Sequence, residues 1–362
     1  MAIPLISVIV PLYNHAQYIE ATIASVRSQT HKNFELVVVD DGSTDTSPQL
    51  VKSVDDPRVF YVYQENQGAH AAINNGIALS HGDYISILNS DDLYAPDRLE
   101  TCLKTINTDE RIDAVFSFID YIDESGLLLK SSDGTDERWK SGWSKYSFSE
   151  DHPLYLQLLQ GNFLKTTSNL FCKRSVFSRF GVFRNLRYCH DYDFFLRLAF
   201  AGKAELIHRQ LLQYRVHGGN TLKEDSALVD FECAWVIADF LFSHDILNGA
   251  GESDTATITQ LFNGVHVHNG ERIVMALLYW WGLRECSGES RMELLTDADH
   301  PFRRDALLYL RNYLDGWSAR EKIYNDWHHL HEESRAVQQR LAAIESSIGY
   351  RFYTAVKRIF NR

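Results

Sequence analysis

Two pairs of adjacent aspartates carry the most chemistry in this sequence. Asp40-Asp41 ends the apolar run Leu36-Val37-Val38-Val39, and Asp91-Asp92 follows Tyr84-Ile85-Ser86-Ile87-Leu88-Asn89-Ser90. A third apolar run, Ile6-Ser7-Val8-Ile9-Val10-Pro11-Leu12-Tyr13-Asn14, precedes both. In an open α/β sheet, ligands bind outside the carboxyl ends of the strands. Four carboxylates gathered there repel one another unless something positive joins them. A hard divalent cation with oxygen ligands is the usual answer. The pattern points to metal-assisted chemistry on a phosphate-bearing ligand.

The elements that must position these acids alternate. Residues 5–10 read as a β-branched strand. A helix from about Ala16 to Gln29 follows, with Ile19, Ile23 and Val26 at helical spacing. Phe34–Val39 is the next strand, which makes the opening a β-α-β unit. Ser43 to Pro48 supplies capping chemistry for a helix through about Val54. Val59–Tyr63 is a short strand. Asn66-Gln67-Gly68 opens a helix carrying Ala72, Ile73 and Ile77, and Gly82-Asp83 turns the chain into the strand ending at Asp91-Asp92. Such alternation predicts a mostly parallel sheet flanked by helices. Further on, Asp113–Ile122 and Thr167–Cys172 read as strands, and Tyr155–Gln160 and Asp193–Phe200 as helices. Residues 123–150 read as a Ser-, Gly-, Asp- and Trp-bearing loop excursion, and 225–315 as helices.

Composition narrows the partners. The 362 residues are 45% hydrophobic, enough for a substantial core, and their formal net charge is −12 with no long basic stripe. An extended nucleic-acid surface is therefore not expected. The N-terminus has no basic segment followed by a long apolar stretch, so no signal peptide is read. The longest helix-like apolar run, Ile273 to Leu283, is too short to cross a bilayer. Cys102, Cys172, Cys189, Cys233 and Cys286 are scattered without a CxxC spacing, as reduced thiols of a cytosolic protein would be. Near the end, Ile323, Trp327, Leu330, Val337, Leu341, Ile344 and Ile348 follow a heptad seam. Two readings stay open for 323–348: an intrachain helical hairpin, or a homo-oligomer or partner-protein contact. Residues 348–362 form a basic amphipathic segment, suited either to a membrane interface or to packing on the protein's own helices.

Taken in order, these residues resemble family 2 glycosyltransferases, which have a GT-A (Rossmann-like) fold. The resemblance rests on Val8-Ile9-Val10-Pro11-Leu12-Tyr13-Asn14, Val39-Asp40-Asp41-Gly42-Ser43-Thr44-Asp45, Asn66-Gln67-Gly68, Asn89-Ser90-Asp91-Asp92, His190-Asp191-Tyr192-Asp193 with Arg197, and Tyr214-Arg215-Val216-His217-Gly218-Gly219-Asn220. It covers roughly residues 5–222. It implies inverting transfer of a sugar from a nucleotide sugar, often a UDP-sugar, to a glycan or lipid-linked glycan in bacterial surface-polysaccharide assembly. That work belongs to the cytoplasm or the inner face of the cytoplasmic membrane. The implied layout is a nucleotide-sugar-binding half at 1–102, an acceptor and catalytic half at 103–222, a helical extension at 223–322, and the heptad helix and basic tail at 323–362.

The resemblance also implies roles. Pro11 and Tyr13 flank the nucleobase, and Asp41 accepts a hydrogen bond from it, with Asp40 supporting the loop. Asp91 binds the ribose or the metal shell. Asp92 coordinates Mn²⁺ or Mg²⁺ on the diphosphate, and His217 matches a position that reaches the metal or diphosphate in some members. Asp191 matches the catalytic base. His190 departs from the Glu many members carry there. The Gln-X-X-Arg-Trp motif of processive synthases is absent, which favours single addition. An inverting displacement needs a base for the acceptor hydroxyl and charge neutralisation for the leaving diphosphate, on opposite sides of the sugar.

Each of these residues also has a plain structural reading. Asp40 and Asp41 would cap a helix and turn a loop. Asp91-Asp92 would open a helix. Asp191 and Asp193 would be acids favoured by a helix dipole. Tyr13 would be core, His217 a loop hydrogen-bonder, and His190, Arg197 and Arg215 ion-pair partners. Two other functions stay open at this point: a sugar-phosphate nucleotidyltransferase, and a non-catalytic nucleotide-binding scaffold.

Overall fold

The computed structural model describes residues 3–132, 153–159, 161–221, 224–244, 274, 277, 278, 281 and 287–311. The heptad seam at 323–348, the basic segment at 348–362, Cys286 and most of the 123–150 excursion lie outside the described residues.

The first strands are apolar runs because both of their faces are covered. Every residue of β1 (Ile6–Leu12) and β2 (Phe34–Asp41) is buried, as expected of central parallel strands. β3 (Val59–Gln64) is the half-exposed edge. Helices α1 (Ile19–Arg27), α2 (Ser47–Lys52) and α3 (Ala69–Leu79) link β1, β2, β3 and β4 (Tyr84–Ile87) in turn. All pairings in the order β3-β2-β1-β4 are parallel. Helix α3 packs very close to β1: a Cβ on Gly76 would lie 2.3 Å from Ile9 Cγ2. No larger residue fits there without displacing the helix.

The chain leaves β1 toward β2 on one side and returns to β4 on the other. The carboxyl ends of β1 and β4 therefore form the switch point where open sheets hold ligands. Beyond β4 the sheet becomes mixed. β5 (Leu93–Tyr94), β6 (Ala114–Ile122), β7 (Leu128–Ser132), β8 (Phe171–Lys173) and β9 (Ala204–Arg215) extend it in the order β4-β8-β6-β9-β5, with β7 a hairpin partner of β6. The β4–β8, β6–β8, β5–β9 and β6–β7 pairs are antiparallel, and β6–β9 is parallel. One sheet thus spans the expected halves at 1–102 and 103–222. The helix α4 (Arg98–Ile106) buries Leu99, Cys102 and Ile106 in the same core as β1, β2 and β9.

Further helices follow in the described part: α5 (Leu154–Leu158), α6 (Ser175–Phe180), α7 (His190–Ala201), α8 (Ser226–Ser243) and α9 (Gly288–Thr296), then helical residues 301–311. Buried ions tie α7, α8 and α9 together. Arg184 bridges Asp193 on α7 (2.6 Å) and Asp239 on α8 (2.7 Å), and Arg291 on α9 also meets Asp239 (2.6 Å). Residues 308–362 separate as a second compact unit. Among the described residues, no helix is long and apolar enough to cross a membrane.

Two expectations change in detail. Thr167–Cys172, expected as one strand, is a 3-10 turn (Thr167–Asn169) followed by β8. The side chains there bond inward instead of leaving the backbone to a ladder: Ser168 to Asp92, and Asn169 to the Ser117 backbone. The helix expected from Asp193 begins at His190, which puts Asp191 in its first turn.

Candidate active site

The rim is built from four strand ends. β1 ends in Pro11 and Leu12, both buried, and Tyr13 then emerges about half exposed. Asn14 takes a positive φ of 52°, and its side-chain oxygen accepts from Thr44 N–H at 2.8 Å. This bond fastens the loop after β1 to the loop after β2. His15 then turns inward, its Nδ1 2.7 Å from Ser90 Oγ in the loop after β4.

At the end of β2, both aspartates are buried and engaged in loop-building. Asp40 accepts from Ser43 N–H (2.8 Å) and from the Tyr61 hydroxyl (2.6 Å). Asp41 accepts from the Gln64 amide (2.7 Å), Gln67 N–H (2.9 Å) and Gly68 N–H (2.8 Å). Gly68, with φ 92°, caps α3, so Asp41 fixes the loop that begins this helix. A carboxylate has about four acceptor positions, so Asp41 retains room for one more donor.

The second pair divides its work. Asp92 is fully buried; its oxygens accept from Ser168 Oγ (2.6 Å) and Arg215 N–H (2.9 Å). Burial, then the neighbouring charge of Asp91, push its carboxyl well above the usual range. Asp91 instead turns to the rim, with Oδ2 2.9 Å from His217 Nε2. Gly219 N–H donates to His217 Nδ1 (3.2 Å), on the far side of the ring from Asp91. One potential ligand atom from each of His15, Asp91 and His217 lies within 4.8 Å of the others. Among the described residues this is the group placed to hold a metal ion, and it includes Asp91 and His217 but not Asp92. Burial pushes the His15 imidazole down, so a ring lone pair is available at neutral pH.

Tyr18 and Arg215 brace this cluster. The Tyr18 ring lies 5.0 Å from the His217 ring and 5.8 Å from that of His15, and the Arg215 guanidinium stands 4.9 Å over it. Arg215 also donates to the carbonyls of Asp91 (2.8 Å) and Asp123 (2.9 Å). It is a buried organiser of the loops, held by backbone carbonyls where an ion pair was the plain expectation.

Asp191 stands apart from this cluster yet close to it. It is buried at the start of α7, and its Oδ1 accepts from Tyr192 N–H at 2.6 Å. Burial pushes its carboxyl up to about 7, against the downward pull of Tyr192 N–H and the Asn162 side chain. Asp193, two residues on, is held by Arg184 and Arg197; no described cation pairs with Asp191. Tyr214 joins the two sides: burial raises its hydroxyl, and the charges of Asp92, Asp91 and Asp191 all push the same way. His70 and His190 link the remaining aspartate. Asp41 acts on His70, and His70 acts on His190, whose ring burial has pushed down to about 4. His190 is therefore neutral at neutral pH. Acids from two distant segments, Asp91-Asp92 and Asp191, thus act on one residue, Tyr214, and burial raises the carboxyls of both Asp92 and Asp191.

Reading by residue type missed His15, Tyr18, Ser168 and Tyr214. Each is an ordinary residue whose partner is remote: His15 and Ser90 are 75 positions apart, Ser168 and Asp92 are 76. The adjacency of His15 to the Pro11-Leu12-Tyr13-Asn14 strand end was the one usable signal.

The family model for glycosyl transferase family 2 matches residues 7–181. An uncharacterised glycosyltransferase of Rickettsia typhi is 32% identical over 237 residues, which are 64% of this chain and 70% of the relative. Another, from Methanocaldococcus jannaschii, is 30% identical over 219 residues, 59% of this chain and 71% of the relative. Chondroitin synthase of Escherichia coli is 30% identical over 221 residues, 60% of this chain but only 30% of that enzyme. Among solved structures, the first 349 residues of Staphylococcus aureus TarS with UDP-GlcNAc superpose with a TM-score of 0.53 at 17% identity, covering 87% of this chain and 91% of that one. The mannosyltransferase PcManGT of Pyrobaculum calidifontis, with GDP-Man and Mn²⁺, gives 0.52 at 19% identity and 86% of each chain. These structures share the GT-A fold with it. The sequence relatives and the family model place the chain more narrowly: it belongs to glycosyl transferase family 2 and is a glycosyltransferase.

Proposed function

We propose that this enzyme is inverting and metal-dependent, moving one sugar at a time from a nucleotide sugar to a glycan or lipid-linked glycan of a cell surface. The observation that carries the proposal is that a buried carboxyl, Asp191, and the candidate cation-holding group His15–Asp91–His217 both bear on one residue, Tyr214, which feels the charges of Asp91 and Asp191 together. A base and a diphosphate-side cation site must oppose each other across the sugar, and these two groups are suited to the two tasks.

In this reading, Asp191 takes the proton of the acceptor hydroxyl as it attacks the anomeric carbon. A buried carboxyl near neutrality suits a general base, which contributes typically ~10²–10⁴-fold. Asp91, His217 and His15 would hold a divalent cation, which would supply charge neutralisation for the leaving diphosphate. One carboxylate with two imidazoles suits a transition ion such as Mn²⁺ better than Mg²⁺, which prefers oxygen. Asp92 serves by fixing Ser168 and Arg215 behind them, a role revised from that of direct ligand. Pro11 and the exposed Tyr13 frame the nucleobase, and the spare acceptor position of Asp41 receives its N–H. UDP-GlcNAc and GDP-mannose, the donors bound by the superposed TarS and PcManGT structures, are the first to try.

The test is donor turnover and thermal shift with UDP- and GDP-sugars, with and without Mn²⁺. A preferred donor should stabilise the fold by mass action and be consumed only with the metal. Full turnover in EDTA would refute the metal dependence, and full transfer by Asp191→Asn would refute the base.

A further inference from the structure

A second buried carboxylate governs the segment that presents Asp191. Glu232, on α8, is almost fully buried and reaches back to the backbone just before α7. Its Oε1 accepts from Arg187 N–H at 3.0 Å, and its Oε2 accepts from Tyr188 N–H at 2.7 Å and Cys189 N–H at 3.0 Å. Three successive backbone donors therefore converge on one side chain 44 positions away from Tyr188. Cys189 caps α7, and Asp191 is its second residue. A neutral acceptor would satisfy some of these N–H groups without the cost of burying a charge. It would not place negative charge near Asp191.

We propose that Glu232 is a positioning residue for the transfer reaction: it fixes residues 187–189, and with them the start of α7, so that the Asp191 carboxylate is held in register. The inference rests on the reading of Asp191 as the base. The charge of Glu232 acts on Asp191 in the same direction as burial does. Glu232 is itself raised by burial and drawn back by the three N–H groups and by Arg303. The other groups bearing on Asp191 are Asn162, which pulls it down, and Tyr214 and Cys189, on which it acts in turn.

The experiment is a pH titration of the full chain labelled at the aspartate carboxyl carbon, followed by ¹³C NMR. Asp191 is identified by the resonance missing in Asp191→Asn. The native midpoint is expected near 7. In Glu232→Gln it should fall by roughly half a unit or more, since a nearby negative charge is gone. Glu232→Asp keeps the charge but withdraws it from the loop. Its midpoint should stay closer to native, while kcat for Mn²⁺-supported turnover of UDP-GlcNAc or GDP-mannose falls about tenfold or more at unchanged donor KM. An unshifted Asp191 in a folded Glu232→Gln overturns the inference. Should that variant not fold, Glu232→Asp decides: native kcat overturns the inference, and a loss of kcat alone supports it. Full turnover by Asp191→Asn would bring down the base reading and the positioning role together. An inactive Asp191→Asn beside an unshifted Glu232→Gln would bring down the positioning role alone.

Discussion

The carboxylate of Asp91 meets the imidazole of His217 at 2.9 Å across 126 positions of sequence, while the adjacent Asp92 turns into the protein interior. Neighbouring acids of one motif thus serve different ends: one faces the rim, and the other holds the strand ends that build it.

That division can be read by metal binding. Asp91→Asn and His217→Ala should each weaken Mn²⁺ by about 10-fold or more, and His15→Ala should act in the same direction. Asp92→Asn should weaken it much less, because an amide can still accept from Arg215 N–H and donate to Ser168 Oγ. Electron paramagnetic resonance titration of free Mn²⁺ gives the order. Equal losses at Asp91 and Asp92 would return Asp92 to the coordination shell.

Activity should depend on pH through Asp191. A base must be ionised to act, so kcat should rise with pH, level off above about 7, and fall as the carboxyl protonates below it. Initial rates at saturating donor from pH 5 to 9 test this. A profile flat across neutrality would assign the base elsewhere.

Stability should show the opposite cost. The Asp191 carboxyl is raised in the folded state, so its contribution is favourable below the unfolded carboxyl's range and is lost as pH rises through about 7. Asp191→Asn removes that penalty. The variant should therefore be stabilised relative to the native enzyme, increasingly from pH 5 to 7 and constantly above, by an amount on the order of a few kcal/mol at most. Urea unfolding at pH 5 and pH 8 measures the difference. A variant less stable than native at pH 8 would mean that Asp191 is stabilised by an interaction not seen here.

Packing behind the site is equally open to test. Gly76→Ala drives a Cβ into Ile9 on β1, whose end carries the nucleotide-facing loop. Overpacking should cost about 1–3 kcal/mol, read as a lower urea midpoint with unchanged slope. No change in midpoint would mean that α3 yields freely.

Sequence made the parallel core legible because β1, β2 and β4 are nearly continuous apolar runs, and those of β2 and β4 lead into paired acids. It was less informative where partners decide the structure. β5 is two residues long and exists through its pairing with Leu212 and Gln213 of β9. Leu128–Ser132 looked like loop because of its polar surroundings, but it pairs with β6. The start of α7 was placed too late, since His190 and Asp191 break no helical pattern and add nothing to it. The motif resemblance pointed to Asp41, Asp91, Asp92, Asp191 and His217, but said nothing of how Asp91 and Asp92 share their work. That depends on Ser168 and Arg215, which arrive from remote turns. His15 had no periodic signal at all.

The most direct measurement is anomalous scattering at the manganese edge from crystals of the full chain grown with Mn²⁺ and UDP. The expected result is a single site in contact with Asp91, His217 and His15. A manganese ion ligated by Asp92 or Asp41 without that trio, or none bound beside the diphosphate, would contradict it.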